Sequence, residues 1–175
     1  QNCGLKFENI IKVLKKLKSV EGRLEKIGNI KNNSRVILDY AHTPEALELA
    51  LSNLREQFPE KKINLLFGCG GKRDEKKRPM MGKIAKKYSD KIYLTDDNPR
   101  NEAPSKIRED IKKGIKKIKV NEIPDRKKAI KNAINDLNTG EILLVAGKGH
   151  EKIQDYGRRK LFFSDKQIIL KSIKL

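Results

Sequence analysis

From residue 35 onward the chain alternates between two hydrophobic rhythms. Short apolar runs occur at Arg35-Val36-Ile37-Leu38-Asp39, Lys62-Ile63-Asn64-Leu65-Leu66-Phe67, Lys91-Ile92-Tyr93-Leu94-Thr95 and Glu141-Ile142-Leu143-Leu144-Val145-Ala146. Runs of that length and composition predict strands covered on both faces. Between them, apolar positions recur every three or four residues, which gathers them on one side of a helix. Leu47, Ala50, Leu51, Leu54 and Phe58 predict a helix over 44–58, entered through a Thr43 cap and Pro44 in the first turn. Ile107, Ile111, Ile115 and Ile118 predict one over 104–118, and further helices are expected over 78–88, 124–137 and from about 165. A weak strand at 119–122 and an antiparallel edge strand at 160–163 complete the pattern.

Strands that alternate with helices of 10–15 residues need crossover connections, and these cover both faces of a mostly parallel sheet. The expected fold is therefore α/β: doubly wound and Rossmann-like, with one antiparallel edge strand and helices on both faces. Phe7, Ile10, Ile11, Leu14 and Leu17 predict a separate amphipathic helix over 7–18, ending near Ser19-Val20-Glu21-Gly22. Residues 1–22 thus read as a lead-in, the last helix of a preceding domain plus a hinge, and residues 23–175 as the domain itself. The chain begins with Gln1 rather than Met, which fits a piece of a longer or processed protein.

Composition narrows the function classes. No apolar run approaches the roughly 18 residues of a membrane-spanning helix. Residues 1–18 lack the apolar centre of a signal peptide, and Cys3 and Cys69 are too few for a disulfide framework, so the cytoplasm is the expected compartment. With 41 basic against 23 acidic residues, the net charge of +18 raises nucleic acid as a partner. Most of the basic residues are Lys spread along the whole chain, and there is no Trp to stack a base. A solvated lysine surface is the expected reading, with no nucleic-acid partner, no membrane partner and a monomeric state. The opposing possibility, a basic nucleic-acid-binding α/β domain, would show itself as duplex binding that survives physiological salt.

In doubly wound sheets, ligands bind beyond the carboxyl ends of the strands. Four segments fall there: Asp39-Tyr40-Ala41-His42-Thr43-Pro44, Gly68-Cys69-Gly70-Gly71-Lys72-Arg73-Asp74, Asp96-Asp97-Asn98-Pro99-Arg100 and Gly147-Lys148-Gly149-His150-Glu151. Taken singly, each is a common turn, and neither glycine cluster completes a dinucleotide or Walker A phosphate loop. Together they bring forked cations, Arg73 and Arg100, toward Asn98 and the Glu151 carboxylate. Such a set suits an amino-acid head group, with its carboxylate and its ammonium both matched. With two histidines and no paired spacing, a metal site is not expected, nor is a hydrolytic triad.

These motifs, with Lys77-Arg78-Pro79-Met80-Met81-Gly82 and Val20-Glu21-Gly22-Arg23-Leu24-Glu25, occur in an order and spacing that resemble the Mur ligases. The diaminopimelate-adding branch of peptidoglycan synthesis is the nearest likeness. The resemblance implies a C-terminal, Rossmann-like domain over 23–175, with 1–22 as the tail of a central ATPase domain. It implies an ATP- and Mg2+-dependent ligase that phosphorylates the D-glutamyl γ-carboxylate of UDP-N-acetylmuramoyl-L-alanyl-D-glutamate. The amine of meso-diaminopimelate then attacks the acyl phosphate to form an amide. By the same likeness Arg73, Asp97, Asn98, Pro99, Arg100, Gly147 and Glu151 would hold diaminopimelate, and Arg23, Asp39 and His42 would meet the nucleotide. No residue is assigned as catalytic or metal-binding. ATP and Mg2+ would be held mainly by the central domain, so this chain alone is expected not to hydrolyse ATP. Another Mur ligase or a folylpolyglutamate synthetase shares part of the pattern but should lack Asp97-Asn98-Pro99-Arg100.

Overall fold

A computed structural model describes Gly4 and residues 6–14, 16–17, 19–30, 33–116 and 119–173 of the 175-residue chain. The elements follow in the order α1 (Phe7–Leu14), β1 (Glu25–Asn29), β2 (Arg35–Asp39), α2 (Pro44–Gln57), β3 (Ile63–Phe67), α3 (Lys77–Tyr88) and β4 (Lys91–Leu94). They continue with α4 (Pro104–Lys112), β5 (Asn121–Glu122), α5 (Arg126–Asn135), β6 (Ile142–Ala146), β7 (Ile153–Asp155), β8 (Lys160–Phe162) and α6 (Asp165–Ile173). Six strands form one sheet in the order β1-β2-β6-β3-β4-β5. β1 runs antiparallel to β2, and every other pairing in that sheet is parallel. The last strand to arrive, β6, inserts between β2 and β3, so the crossovers diverge there. That divergence opens a crevice at the carboxyl ends of the strands.

The pleat sends alternate residues to opposite faces, and each face has its own core. Ile37, Leu65, Phe67, Leu94 and Leu144 pack against Leu47, Leu51, Met81, Ile107 and Ile111 from α2, α3 and α4. On the other face Val36, Leu38, Leu66, Tyr93 and Val145 meet Ala129, Ile130 and Ile169 from α5 and α6. A fully buried side chain such as Leu65 or Leu66 contributes about 1.5–3 kcal/mol relative to exposure. The Thr43 hydroxyl accepts from the Ala46 N–H at 3.2 Å and caps α2 as its sequence predicts, a bond worth about 1 kcal/mol. Gly82 lets α3 approach α4, because a Cβ there would strike the Ile111 carbonyl.

The expected fold class is borne out; several boundaries differ. The antiparallel edge of the main sheet is β1, in a stretch with no predicted strand. Its sequence Glu25-Lys26-Ile27-Gly28-Asn29 lacks an apolar run because an edge strand covers the core on one face only, and its register slips between Lys26 and Gly28. The predicted edge strand at 160–163 instead joins β7 in a separate two-stranded hairpin. The helix predicted over 104–118 ends at Lys112, with a turn at Gly114, and Ile118 lies outside the described residues. Cys3 and Lys18, at the start of the chain and the end of the predicted first helix, also lie outside them. α1 spans Phe7–Leu14 and buries no residue; Phe7 and Leu14 are exposed. Among the described residues no helix is long and apolar enough to cross a membrane.

Candidate functional site

The loops that follow β2, β3, β4 and β6 surround one cleft of about 620 Å³. Its walls include Tyr40 and His42 from the first loop, Gly68, Gly70 and Arg73 from the second, Asp97, Asn98 and Arg100 from the third, and Gly147 and Glu151 from the fourth. The parallel register delivers these loops to one rim: Asp39 pairs with Ala146 and Phe67 with Leu94, so the strands end side by side.

Lys148 organises the floor. Its side chain is fully buried, and its Nζ donates to Asn98 Oδ1 at 3.0 Å, Glu151 Oε2 at 2.8 Å and the Ile153 carbonyl at 2.7 Å. Asn98 Nδ2 donates to the same Glu151 oxygen at 2.9 Å. Burial alone would raise the Glu151 carboxyl, but the Lys148 and Asn98 hydrogen bonds together with the Lys148 and Arg100 charges hold it below its ordinary value, so it is an anion at neutral pH. Arg100 takes a left-handed backbone conformation, φ +54°, and its Nη1 donates to the Gly71 carbonyl at 2.9 Å. Its side-chain hydrogen bonds among the described residues all run from Nη1 to carbonyls, which leaves Nε and Nη2 to offer elsewhere. Arg73 stands exposed at the rim.

Asp97 lies beside this network. Its Oδ1 accepts from the Asn98 N–H at 2.8 Å, whereas Oδ2 is buried with no partner among the described residues. Gly147 has φ +112°, and a Cβ there would lie 2.9 Å from that Oδ2, so glycine suits both the backbone conformation and the close approach of the carboxylate. The Gln154 side-chain amide donates to the Asp97 carbonyl at 2.9 Å and pins the loop from behind. Burial pushes the Cys69 thiol up to about 12, so it is a packing group against Met81, not a nucleophile.

Tyr40 joins this network to a second cluster. Its hydroxyl lies 3.5 Å from Glu151 Oε1, and its ring meets His42 and His150 at centroid distances of 4.6 and 5.0 Å. The Arg23 guanidinium sits 4.9 Å over the same ring. Burial and the neighbouring Glu151 charge push the Tyr40 phenol up, so it remains a donor at neutral pH. Asp39 is engaged by its own backbone: Oδ1 accepts from the Ala41 N–H and Oδ2 from the Leu24 N–H, both at 2.7 Å. These bonds tie the end of β2 to the entry of β1.

Of the ten residues predicted from sequence, the cleft gathers Arg73, Asp97, Asn98, Arg100, Gly147, Glu151 and His42. Arg23, Asp39 and Pro99 do not line it; Arg23 is exposed and stacks over the Tyr40 ring, and Pro99 is buried. Sequence reasoning missed Lys148 and Tyr40. Lys148 carried a readable signal: a cation between two glycines directly after a buried strand is poised to turn inward. Tyr40 carried none beyond its place in the first loop. Among the described residues no three Asp, Glu, His or Cys side chains are grouped so that they could hold a metal ion.

A two-faced α/β domain whose strand ends form a cationic and anionic cleft is an architecture suited to holding a zwitterion. Residues 22–149 match the family model of the Mur ligase, glutamate ligase domain, and the chain belongs to that family. It is 47% identical over 173 residues to the UDP-N-acetylmuramoyl-L-alanyl-D-glutamate–2,6-diaminopimelate ligase of Rickettsia montanensis, covering 98% of this chain and 35% of the relative. The protein of the same name from Buchnera aphidicola subsp. Baizongia pistaciae is 50% identical over 164 residues, or 93% of this chain and 32% of the relative. A solved structure of a UDP-N-acetylmuramoyl-L-alanyl-D-glutamate–2,6-diaminopimelate ligase superposes with a TM-score of 0.82 at 34% identity, over 99% of this chain and 35% of that one. The chain thus spans about a third of the length of the relatives it matches.

Proposed function

We propose that this chain is the C-terminal domain of an ATP-dependent ligase that adds meso-diaminopimelate to UDP-N-acetylmuramoyl-L-alanyl-D-glutamate in peptidoglycan synthesis. The observation that carries the reading is the juxtaposition, in one cleft, of an Arg100 fork with unused donors and a Glu151 carboxylate held as an anion. Diaminopimelate differs from lysine by a carboxylate at its far end. Arg100 and the free N–H of the Asn98 amide match that carboxylate, while Glu151 matches the ammonium beside it; Arg73, Asp97 and Gly147 line the approach. A site built around such a cation disfavours lysine, because lysine leaves the guanidinium unpaired. Gripping the far end leaves the near amine directed out of the cleft, toward the acyl phosphate it attacks.

His42 and Arg23, both in contact with the Tyr40 ring, are the groups that meet the nucleotide. Asp39, with both oxygens already accepting backbone N–H groups, acts there through its remaining lone pairs. ATP and Mg2+ are held mainly by the central domain, and the present residues cap the nucleotide when the domains close. Residues 1–22 form the tail of that domain and the hinge. The exposed apolar side chains of α1 support this reading. The intact protein works as a cytoplasmic monomer without a nucleic-acid partner. Steady-state assay of the intact protein with meso-diaminopimelate and with lysine tests the reading. The expected outcome is product from diaminopimelate at concentrations where lysine gives little. Equal use of the two would return the chain to another amino-acid ligase.

A further inference from the structure

We propose that Lys148 is a positioning residue: it dictates which atoms of Asn98 and Glu151 face the ligand, and so fixes where the cleft receives an ammonium and where a carboxylate. The proposal rests on the reading of the cleft as a diamino-acid site. Lys148 does not touch the ligand, because each of its three donors already has an acceptor, Asn98 Oδ1, Glu151 Oε2 and the Ile153 carbonyl, and its side chain is fully buried. It acts through the two residues it holds.

The Asn98 amide has only one compatible orientation. Its Oδ1 accepts both from Lys148 Nζ and from the Asp155 N–H, each at 3.0 Å. A flipped amide would set its own N–H groups against an ammonium and a backbone donor. Asn98 Nδ2 is therefore forced toward Glu151, where one hydrogen is used and the second stays free of any partner among the described residues. The two oxygens of Glu151 are made unequal in the same way. Oε2 accepts from Lys148 and from Asn98, whereas Oε1 meets only the Tyr40 hydroxyl, at the outer limit of hydrogen bonding. The cleft is left with one strong acceptor, Oε1, for an ammonium, and one amide donor beside Arg100 for a carboxylate.

The local sequence builds this. Gly147 and Gly149 both have left-handed φ, +112° and +49°, and the turn between them carries the Lys148 side chain under the loop instead of out to solvent. The Glu151 N–H closes the turn on the Lys148 carbonyl at 2.8 Å. Lys148 also offsets the charge of Glu151, and its hydrogen bond is foremost among the contacts that hold that carboxyl below its ordinary value against burial.

The test is a calorimetric titration of the intact protein with meso-diaminopimelate across roughly pH 2.5 to 7, which spans the range in which a carboxyl changes charge. Lys148→Met is expected to weaken binding roughly 10- to 100-fold at neutral pH and to move the acid limb of binding upward by roughly one pH unit. In a Glu151→Gln background the same substitution should cost markedly less, because its main route of action is gone. Unchanged affinity and an unchanged acid limb in a folded Lys148→Met protein would overturn the proposal. Should that variant fail to fold, Lys148→Gln keeps a donor without the charge, and the same upward displacement is expected. The unsubstituted protein gives an independent reading: its acid limb should lie below the ordinary glutamate range, and a limb within that range counts against Lys148. If the unsubstituted protein does not bind diaminopimelate at neutral pH, the functional reading falls by itself. Carbon-13 titration of the Glu151 carboxyl, with and without Lys148→Met, then decides the positioning role: a depressed value that rises in the variant supports it, and an equal value refutes it.

Discussion

Arg126 and Arg100 both lie at the carboxyl end of the sheet, and they serve opposite ends. Arg126 is closed. It and Asp165 are completely buried, its Nε and Nη2 meet the two Asp165 oxygens at 2.9 and 2.8 Å, and Nη2 also caps the Ala146 carbonyl at the end of β6. Arg100, one loop away, spends Nη1 on backbone carbonyls and keeps the rest of its fork for the cleft. A guanidinium paired with a carboxylate of its own chain anchors α5 and α6 to the strand ends. One denied such a partner is a receptor. Identical side chains are thus sorted into structure and binding by whether the fold supplies the counter-charge.

The largest expected effect breaks the closed member. Arg126→Met strands Asp165 as a buried unpaired charge and should cost about 3–5 kcal/mol by denaturant unfolding. Adding Asp165→Leu should restore most of that loss; failure to do so would mean the pair does more than satisfy itself. Arg100→Ala probes the open member. Stability should change by less than about 1 kcal/mol, because little of the fold depends on it. Diaminopimelate binding should weaken roughly 10- to 100-fold, and the preference over lysine should vanish. A large loss of stability instead would place Arg100 with Arg126.

Gly147→Ala sharpens the contrast from the other side of the cleft. A Cβ at φ +112°, 2.9 Å from Asp97 Oδ2, should cost about 1–3 kcal/mol and weaken diaminopimelate binding in a protein that still folds. Thermal unfolding and calorimetry on the same sample separate the two effects. The smallest effect concerns Asp110, which with Glu102 closes a further buried arginine, Arg78. Hydrogen bonds from Lys113, Lys106 and Arg78 outweigh burial and hold its carboxyl at about 2, below the ordinary 3.8. A folded-state value below the unfolded one stabilises the protein above pH 3.8, and that stability drains away as the pH falls toward about 2. Asp110→Asn should therefore flatten the fall of melting temperature across that window and leave its slope at neutral pH unchanged.

How far the sequence could be read depended on burial. β2, β3, β4 and β6 are continuous apolar runs because both their faces are covered, and each was located within a residue. β1 was invisible, since an edge strand needs apolar residues on one side only, and Gly28 at its bulge reads as a loop. The segment at 160–163 did form a strand, but partner choice is not written in a three-residue strand, and β7, with only Gln154 buried, gave no warning of the hairpin. In the site, residues with a charge or a fixed turn, Arg100, Glu151 and Gly147, stood out by type. Tyr40 did not, because its role comes from two neighbours, Arg23 and Glu151, that approach from other loops.

The chain alone determined the alternation of strand and helix, hence a two-faced parallel sheet, and which loops must share its carboxyl rim. Those are consequences of local periodicity and of the handedness of crossovers, which act over a few tens of residues. Only the tertiary structure decided which cations would be neutralised and which left open. Arg126 and Arg100 look alike in one dimension; what separates them is whether a carboxylate from a distant segment comes within hydrogen-bonding distance, and desolvation makes that difference decisive.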